Sequence, residues 1–370
     1  MNWSALRIAI VGPLPPPAGG MAGQTQQLGE LLRNEGADVH LVQTNAPYWP
    51  RWAAGIRGVR AATRLTGYVA RLWFAAGKVQ IFHVMANSGW SWHLFAAPAI
   101  WIGRLRGVRV VVNYRGGEAR SFLKRSVRWV RLSLNAASAL MVPSGFLEEV
   151  FSAFGFKVHV VPNVVDLSRF HPARSDRVAP RASPSILVAR NLEPIYDNAT
   201  ALRAFALTVQ QVPAARLVIA GSGPEEAALK ALAAELGVAA RVEFTGRLDR
   251  EQMAARYSEA SVMLNPSRVD NTPNSVLEAL ASGVPIVSTD VGGVPYILTH
   301  ERTALLVPPG DAKHVADALT RVLTDAELAE RLRAAGLSEV QNYSWPRVKD
   351  TLGSLYLSLL TEEAVREHPA

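Results

Sequence analysis

Twelve short apolar runs punctuate the chain, six in each half. The first six are LRIAIVG, DVHLVQ, VQIFHVM, VRVVVNY, SALMVPS and KVHVVPN; the second six are SILVAR, ARLVIAG, RVEFTG, SVMLNPS, VPIVSTD and TALLVPP. They are rich in Val, Ile and Leu and are continuous rather than alternating. That is the pattern of strands buried on both faces of a parallel sheet. Helical stretches lie between them, among them AALKALAAELG and the long DAKHVADALTRVLTDAELAERLRAAG. Strands alternating with helices predict an α/β protein made of two Rossmann-like, doubly wound domains. HPARSDRVAPRASPS, residues 171–185, has no periodicity and is rich in Pro, Ser and charge, so it is the expected linker. The boundaries expected are 1–172 and 183–344, with 345–370 following. Ligands of such sheets bind at the carboxyl ends of the strands, so a cleft between two such edges is the expected site.

A chain of 370 residues with 49% hydrophobic content suits two sizeable cores. There is no cysteine, which excludes disulfides and Cys-based metal sites and is compatible with a reducing compartment. MNWSALRIAIVG lacks the long apolar run and cleavage site of a secretory leader and reads as a first strand. The most apolar long window, WSWHLFAAPAIWIG, is short for a membrane span and contains His93 and Pro98; a buried helix is expected there. A cytoplasmic protein is the expectation, peripheral on the inner face of a membrane if its basic surface meets lipid.

Charge changes the picture more. Residues 1–170 hold 19 Lys/Arg against 7 Asp/Glu, whereas the remainder holds 20 against 24. The excess sits in RWAAGIRGVRAATRLTGYVARLWFAAGK and in the closely spaced Arg104, Arg106, Arg109, Arg115, Arg120, Lys124, Arg125, Arg128 and Arg131. A solvated arginine-rich face and contact with anionic lipid headgroups both account for it. Nucleic acid is disfavoured, because no recognition motif accompanies the charge.

Candidate chemistry lies where strands meet loops. IVGPLPPPAGGMAGQ runs from strand to glycine-rich loop to helix, so Gly19 and Gly20 either let a ligand approach a helix N-terminus or make a tight turn. Tyr114 and Arg115 end the strand VRVVVNY ahead of two glycines; Arg115 either faces an anionic or hydroxylated substrate or pairs with Glu118. Arg190 stands at a strand end suited to a phosphate clamp. Gly221 in VIAGSGP and Gly246–Arg247 in FTGRL mark further close-approach loops. The densest stretch is NPSRVDNTPNSVLEALASG. Its helix begins at Asn274 and Ser275, so the amides of Asn274, Ser275 and Val276 are free to receive a diphosphate. Glu278, about one turn in, suits the vicinal hydroxyls of a ribose, and Asp270 in the preceding loop suits those of a sugar. His83 is either a cleft residue or a buried, satisfied histidine.

The acid-x7-Glu segment, with NPS before it and EALASGVPIVSTDVGG after it, resembles the retaining glycosyltransferases of the GT-B fold, family four. VPNVVDLSRFHP, VIAGSGP, FTGRL, LLVPPGD and NYSWPRV match in order over nearly the whole chain. The resemblance implies that Glu278 binds the nucleotide's ribose and that amides near Asn274, Ser275 and Val276 hold the diphosphate. Asp270 would contact the donor sugar, and Arg190 would neutralise the leaving group. The Gly246–Arg247 loop would receive the base, and Gly19 and Gly20 would approach the donor phosphates. The final helix, after Trp345, would cross back onto the first domain. The sequence departs from the family in three places: Asp270 replaces a Glu, Tyr196 stands where a Lys is usual, and Arg115 or Tyr114 stands where many members have His.

The activity implied is metal-independent, retaining transfer of a hexosyl unit from a nucleoside-diphosphate sugar to a hydroxyl acceptor, lipid-linked or a polysaccharide precursor. No cofactor is expected. A nucleotide-sugar epimerase or hydrolase of the same fold, and a non-catalytic sugar-nucleotide-binding subunit, are the alternatives.

Overall fold

Each of the twelve apolar runs forms a strand, and every strand pairing is parallel. The computed structural model describes residues 2–16, 20–47, 57–172 and 183–367; of residues 57–62 and 362–367 it describes the helical backbone alone. Two compact units result, one of Met1–Val164 with Val348–Ala370, the other of Val165–Arg347.

In the first unit the strands are β1 (Arg7–Gly12), β2 (Asp38–Gln43), β3 (Ile81–Ala86), β4 (Arg109–Tyr114), β5 (Ala139–Val142) and β6 (His159–Val160), in the order β2-β1-β3-β4-β5-β6. Its helices are α1 (Gly20–Asn34), α2 (Arg57–Ala76), α3 (Ala97–Leu105), α4 (Ala119–Leu134) and α5 (Gly145–Ser152). All six residues of β3 are buried, as a sheet covered on both faces requires. From β2 onward each connection steps the same way across the sheet. Right-handed crossovers therefore lay α2, α3, α4 and α5 on one face, while α1, which steps the opposite way, takes the other.

WSWHLFAAPAIWIG is helical as expected, beginning with a π-helical turn at Trp92–Ala96 that passes into α3. It is not buried all round. Ile100 and Ile102 face the core, but Trp101 and Leu105 are exposed. One stripe of α3 packs on the sheet and the opposite stripe has nothing from this unit to cover it.

The second unit has β7 (Ser185–Ala189), β8 (Arg216–Ala220), β9 (Val242–Gly246), β10 (Val262–Asn265), β11 (Ile286–Thr289) and β12 (Leu305–Val307). Their order, β9-β8-β7-β10-β11-β12, reverses direction between β7 and β10. Its helices are α6 (Asn198–Gln211), α7 (Glu226–Glu235), α8 (Arg250–Glu259), α9 (Asn274–Ala281), α10 (Ala312–Thr324) and α11 (Ala326–Glu339). The long stretch read as one helix is two. Asp325 leaves helical geometry between α10 and α11, and its side chain accepts from the Leu328 amide at 2.9 Å, capping α11. α9 stops at Gly283, whose φ of +63° is the left-handed conformation that glycine supplies at a helix end. The last helix, α12 (Trp345–Glu367), belongs to the first unit from Val348 onward. There Tyr356 is fully buried and Lys349 pairs with Glu35 at 3.0 Å.

Candidate active site

The reversal of strand order between β7 and β10 opens a crevice at their carboxyl ends. Arg190 follows β7 directly, and Asn265 is the last residue of β10. Arg190 Nε donates to Asn265 Oδ1 at 2.9 Å, and its Nη2 donates to Asp270 Oδ2. Both ion-pair partners have side chains only 11% exposed. Asn265 is held in turn: Ser267 Oγ donates to its Oδ1 at 2.8 Å and its Nδ2 donates to Ser288 Oγ at 3.0 Å. Ser288 is its cross-strand partner in β11. The loop after β10 is thus pinned at both ends, and Asp270 Oδ1 also accepts from the Asn271 amide at 2.9 Å.

Tyr196, at the position where a Lys was the resemblance's expectation, lies with its ring centroid 5.1 Å from the Arg190 guanidinium carbon. It supports the cation by stacking and adds no second charge.

Asn274, Ser275 and Val276 open α9. Pro273 precedes them, and its carbonyl accepts from the Val276 amide at 3.1 Å and from the Leu277 amide at 3.4 Å, so these two amides are engaged within the helix. Ser275 is buried and its hydroxyl has no partner among the described residues. Glu278 is half-buried in the next turn. Tyr257 OH lies 3.1 Å from both Glu278 Oε2 and the Ser275 carbonyl. Burial pushes the Glu278 carboxyl up to about 7, against the opposing pull of the Tyr257 hydrogen bond and of Arg250 and Arg190. A carboxylate kept in so unfavourable a place is a candidate for binding or catalysis.

The glycines do different things. A side chain on Gly221 would collide with the Arg190 carbonyl, and one on Gly293 with the Asn271 carbonyl. The close approach expected at Gly221 for a ligand is therefore taken up by the protein's own backbone: the glycine lets the Arg190 loop cross the end of β8. Gly246 is different. Its φ of +67° favours glycine, and no atom lies within 4 Å of where a Cβ would be. Exposed Arg247 follows it. Gly20 is the exposed first residue of α1, and Gly19 lies outside the described residues.

Arg115 stands in the first unit, after β4. It does not pair with Glu118. Nε donates to Asn113 Oδ1 at 3.3 Å, and Nη1 donates to Asn163 Oδ1 at 2.6 Å and to Gln24 Oε1 at 3.3 Å. Burial lowers it to about 10, so it stays charged at neutral pH, with no carboxylate paired to it among the described residues. This donor-only group orders what lies behind it. Asn113 must turn its oxygen to Arg115, so its Nδ2 faces His83 Nε2 at 2.9 Å. Nε2 is then an acceptor, and the proton on Nδ1 points at Tyr356 OH, 2.7 Å away. His83 is the buried, satisfied histidine of the two readings, and desolvation with Arg115 nearby drops it to about 3.

Three residues of this picture escape a reading of the chain. Asn265 is hidden inside a strand pattern, and Tyr257 and Tyr356 look like ordinary helix-face aromatics. The one usable signal is at Asn265, a polar residue in the final position of an apolar strand.

Two family models match, the one described as glycosyl transferases group 1 over residues 173–338 and the one described as glycosyltransferase family 4 over residues 18–169. Among curated proteins, the GDP-mannose-dependent alpha-(1-6)-phosphatidylinositol monomannoside mannosyltransferase of Mycobacterium tuberculosis is 28% identical over 360 residues, covering 89% of this chain and 92% of that protein. The D-inositol 3-phosphate glycosyltransferase of Jonesia denitrificans is 30% identical over 57% of this chain, and the match spans about half of that protein, 53%. Among solved structures, sucrose-phosphate synthase from Thermosynechococcus elongatus shares the fold with a TM-score of 0.76 at 22% identity, over 96% of this chain and all of that one. HepE of Anabaena, solved with UDP and glucose, shares it with a TM-score of 0.71 at 16% identity, over 95% of this chain and 100% of that one. The fold is GT-B, and with its two halves matching the two family models in sequence order, this chain belongs to the group 1, family 4 glycosyltransferases, enzymes that use nucleotide sugars.

Proposed function

We propose that this enzyme transfers a hexosyl unit, with retention and without a metal, from a nucleoside-diphosphate sugar to a hydroxyl of a lipid-linked or polysaccharide-precursor acceptor at a membrane face. The observation that carries the donor side is the arrangement at the β7/β10 reversal. A stacked, carboxylate-compensated Arg190 stands beside the start of α9, where the buried Ser275 hydroxyl has no partner among the described residues, with a destabilised Glu278 carboxylate in the next turn.

In this reading Glu278 accepts from the ribose hydroxyls. The start of α9 at Asn274 and Ser275 receives the diphosphate, with the unpartnered Ser275 hydroxyl as a donor; the Val276 amide, already bonded to the Pro273 carbonyl, is left out. Arg190 neutralises charge that grows on the diphosphate as the glycosidic bond breaks, and such pre-placed donors lower the barrier most where water is excluded. Asp270 orients the sugar's hydroxyls and holds Arg190 until the donor arrives. The Gly246–Arg247 loop receives the base. Arg115 gives the first unit's sheet edge a positive charge for the acceptor side. The mannosyltransferase relative is named for GDP-mannose and a phosphatidylinositol mannoside, and HepE for UDP and glucose; both names support a nucleotide-sugar donor, and the first supports a lipid-linked acceptor.

A thermal-shift panel of nucleoside-diphosphate sugars, followed by turnover in chelator and analysis of the product anomer, tests it. We expect one donor to stabilise the wild type, Glu278→Ala to abolish that shift, and the product to keep the donor's configuration. Undiminished nucleotide affinity in Glu278→Ala defeats the ribose role. An inverted linkage or a strict Mg²⁺ requirement defeats the mechanism, and rapid change of the donor without acceptor favours the epimerase or hydrolase reading.

A further inference from the structure

Exposed large apolar side chains are not spread evenly over this protein. Among the described residues, nine of the fourteen lie between Val69 and Leu132, eight of them on α2, the π-turn before α3, α3 itself and α4, with Trp90 just before that turn. Phe74 is 72% exposed, Leu105 74% and Trp129 69%, while Leu132, Trp73 and Trp101 are about half exposed. Single exposed apolar residues are ordinary, but a cluster of this kind marks an interaction surface. Right-handed crossovers lay α2, α3 and α4 side by side on one face of the first unit's sheet, so their outer stripes look the same way. Leu94, Trp101 and Leu105 recur at helical spacing along one such stripe.

The same stretch is almost purely basic. Residues 51–134 hold fifteen Lys/Arg and a single acid, Glu118. The two features interleave: the Arg106 guanidinium carbon sits 4.6 Å from the Trp73 ring centroid. No described helix is long and apolar enough to cross a membrane. Indoles and long aliphatic side chains among arginines match the boundary between headgroups and acyl chains. A second copy of this face would set like charges against each other, which argues against self-association there.

We propose that the outer face of α2, α3 and α4 is a docking surface for an anionic lipid bilayer. Phe74, Trp101, Leu105 and Trp129 enter the headgroup boundary, and Arg104, Arg106, Lys124, Arg125 and Arg128 meet the lipid phosphates. On the reading that the acceptor is lipid-linked, this face brings the enzyme to it; docking itself does not depend on that reading.

Flotation of the full chain with vesicles of phosphatidylcholine alone, or mixed with phosphatidylglycerol, is the test. The wild type should float with the mixed vesicles, weakly with the neutral ones, and less as salt rises. Its tryptophan emission should shift to the blue and be quenched by a lipid-borne quencher, a readout that needs no variant. Phe74→Asp with Leu105→Asp should cut partitioning at least about tenfold while leaving nucleotide-sugar binding and the melting curve as in the wild type. Wild-type protein that ignores the mixed vesicles, or a double variant that floats as well as wild type, overturns the proposal. So does a solution dimer that the double variant dissolves, or retention on single-stranded DNA in place of vesicles. Loss of donor binding in Glu278→Ala bears on the active site alone, so the two readings fail separately.

Discussion

The two sheets end in opposite kinds of polar site. At the edge of the second unit the largely buried cation, Arg190, is matched by a largely buried carboxylate, Asp270, and a third charge, Glu278, waits one loop away. At the edge of the first, Arg115 is buried among the amide oxygens of Gln24, Asn113 and Asn163, and behind it lies a neutral histidine. Strand order differs as well: the second sheet reverses between its first and fourth strands, the first between its first and third. Similar scaffolds thus hold a charge-compensated edge and a charge-uncompensated one. A compensated edge can exchange one anion for another, a carboxylate for a diphosphate, at little electrostatic cost. An uncompensated guanidinium in a cage of dipoles is better fitted to ordering the groups around it.

The largest effect expected is at Arg190. Removing a charge-stabilising donor costs about a hundred- to a thousandfold in turnover. Arg190→Met should lose that much, and should also lose about 3 kcal/mol of stability, because Asp270 is left buried without its partner. The double variant Arg190→Met, Asp270→Asn should regain most of that stability and none of the activity. Urea unfolding beside steady-state kinetics separates the two; a double variant as unstable as the single one would mean that the pair is not the compensated unit described here.

Arg115 should behave the other way. Arg115→Met deprives three amide oxygens of their donor, at a cost of about 1–3 kcal/mol in stability. Nucleotide binding, measured by titration, should not change. A stable Arg115→Met protein would break the comparison, since an idle cage implies that the guanidinium is held for substrate alone.

The strands were legible because parallel strands buried on both faces leave short continuous apolar runs. The helix break at Asp325 was not, because the apolar period continues through it and only the cap geometry reveals it. Glu278 and the start of α9 could be read from spacing, being local. The Arg115 cage could not: Asn163 is 48 residues from Arg115 and Gln24 is 91. Packing of α1 and the β6 exit against β4 creates it, and no short-range pattern records that. Gly221 shows a related limit: a glycine at a strand end signals close approach without saying to what, and here the Arg190 carbonyl is what lies close.

The buried groups of the two units also predict pH dependences of opposite sign. The folded His83 is depressed to about 3, below its ordinary 6.5, so the unfolded chain binds more protons between those values and stability falls as pH drops. At pH 5 that loss is about 2 kcal/mol. Glu278 is raised to about 7, above its ordinary 4.5, so its stabilising protonation is complete below 4.5 and is lost as pH rises through 7. Urea unfolding from pH 7.5 to 5 should therefore show Glu278→Gln more stable than wild type at the top of the range, with the difference shrinking several-fold towards pH 5. A constant difference across the range would mean that the Glu278 carboxyl is not raised.

The smallest effect sharpens the same point. The Tyr257 hydroxyl favours the ionised form of Glu278, in opposition to burial. An ionised carboxylate can accept two hydroxyls, as the ribose role proposed for Glu278 requires, whereas the protonated acid gives up part of that capacity. Tyr257→Phe should push the carboxyl higher still and weaken nucleotide binding at neutral pH by about fivefold, the value of one hydrogen bond near 1 kcal/mol. Because the defect is one of protonation, binding should recover as pH rises past the new value, whereas a merely misplaced helix would stay weak at every pH. Titration calorimetry at pH 7 and pH 8.5 distinguishes the two, and a defect that does not change with pH would leave Tyr257 as packing for α9 and nothing more.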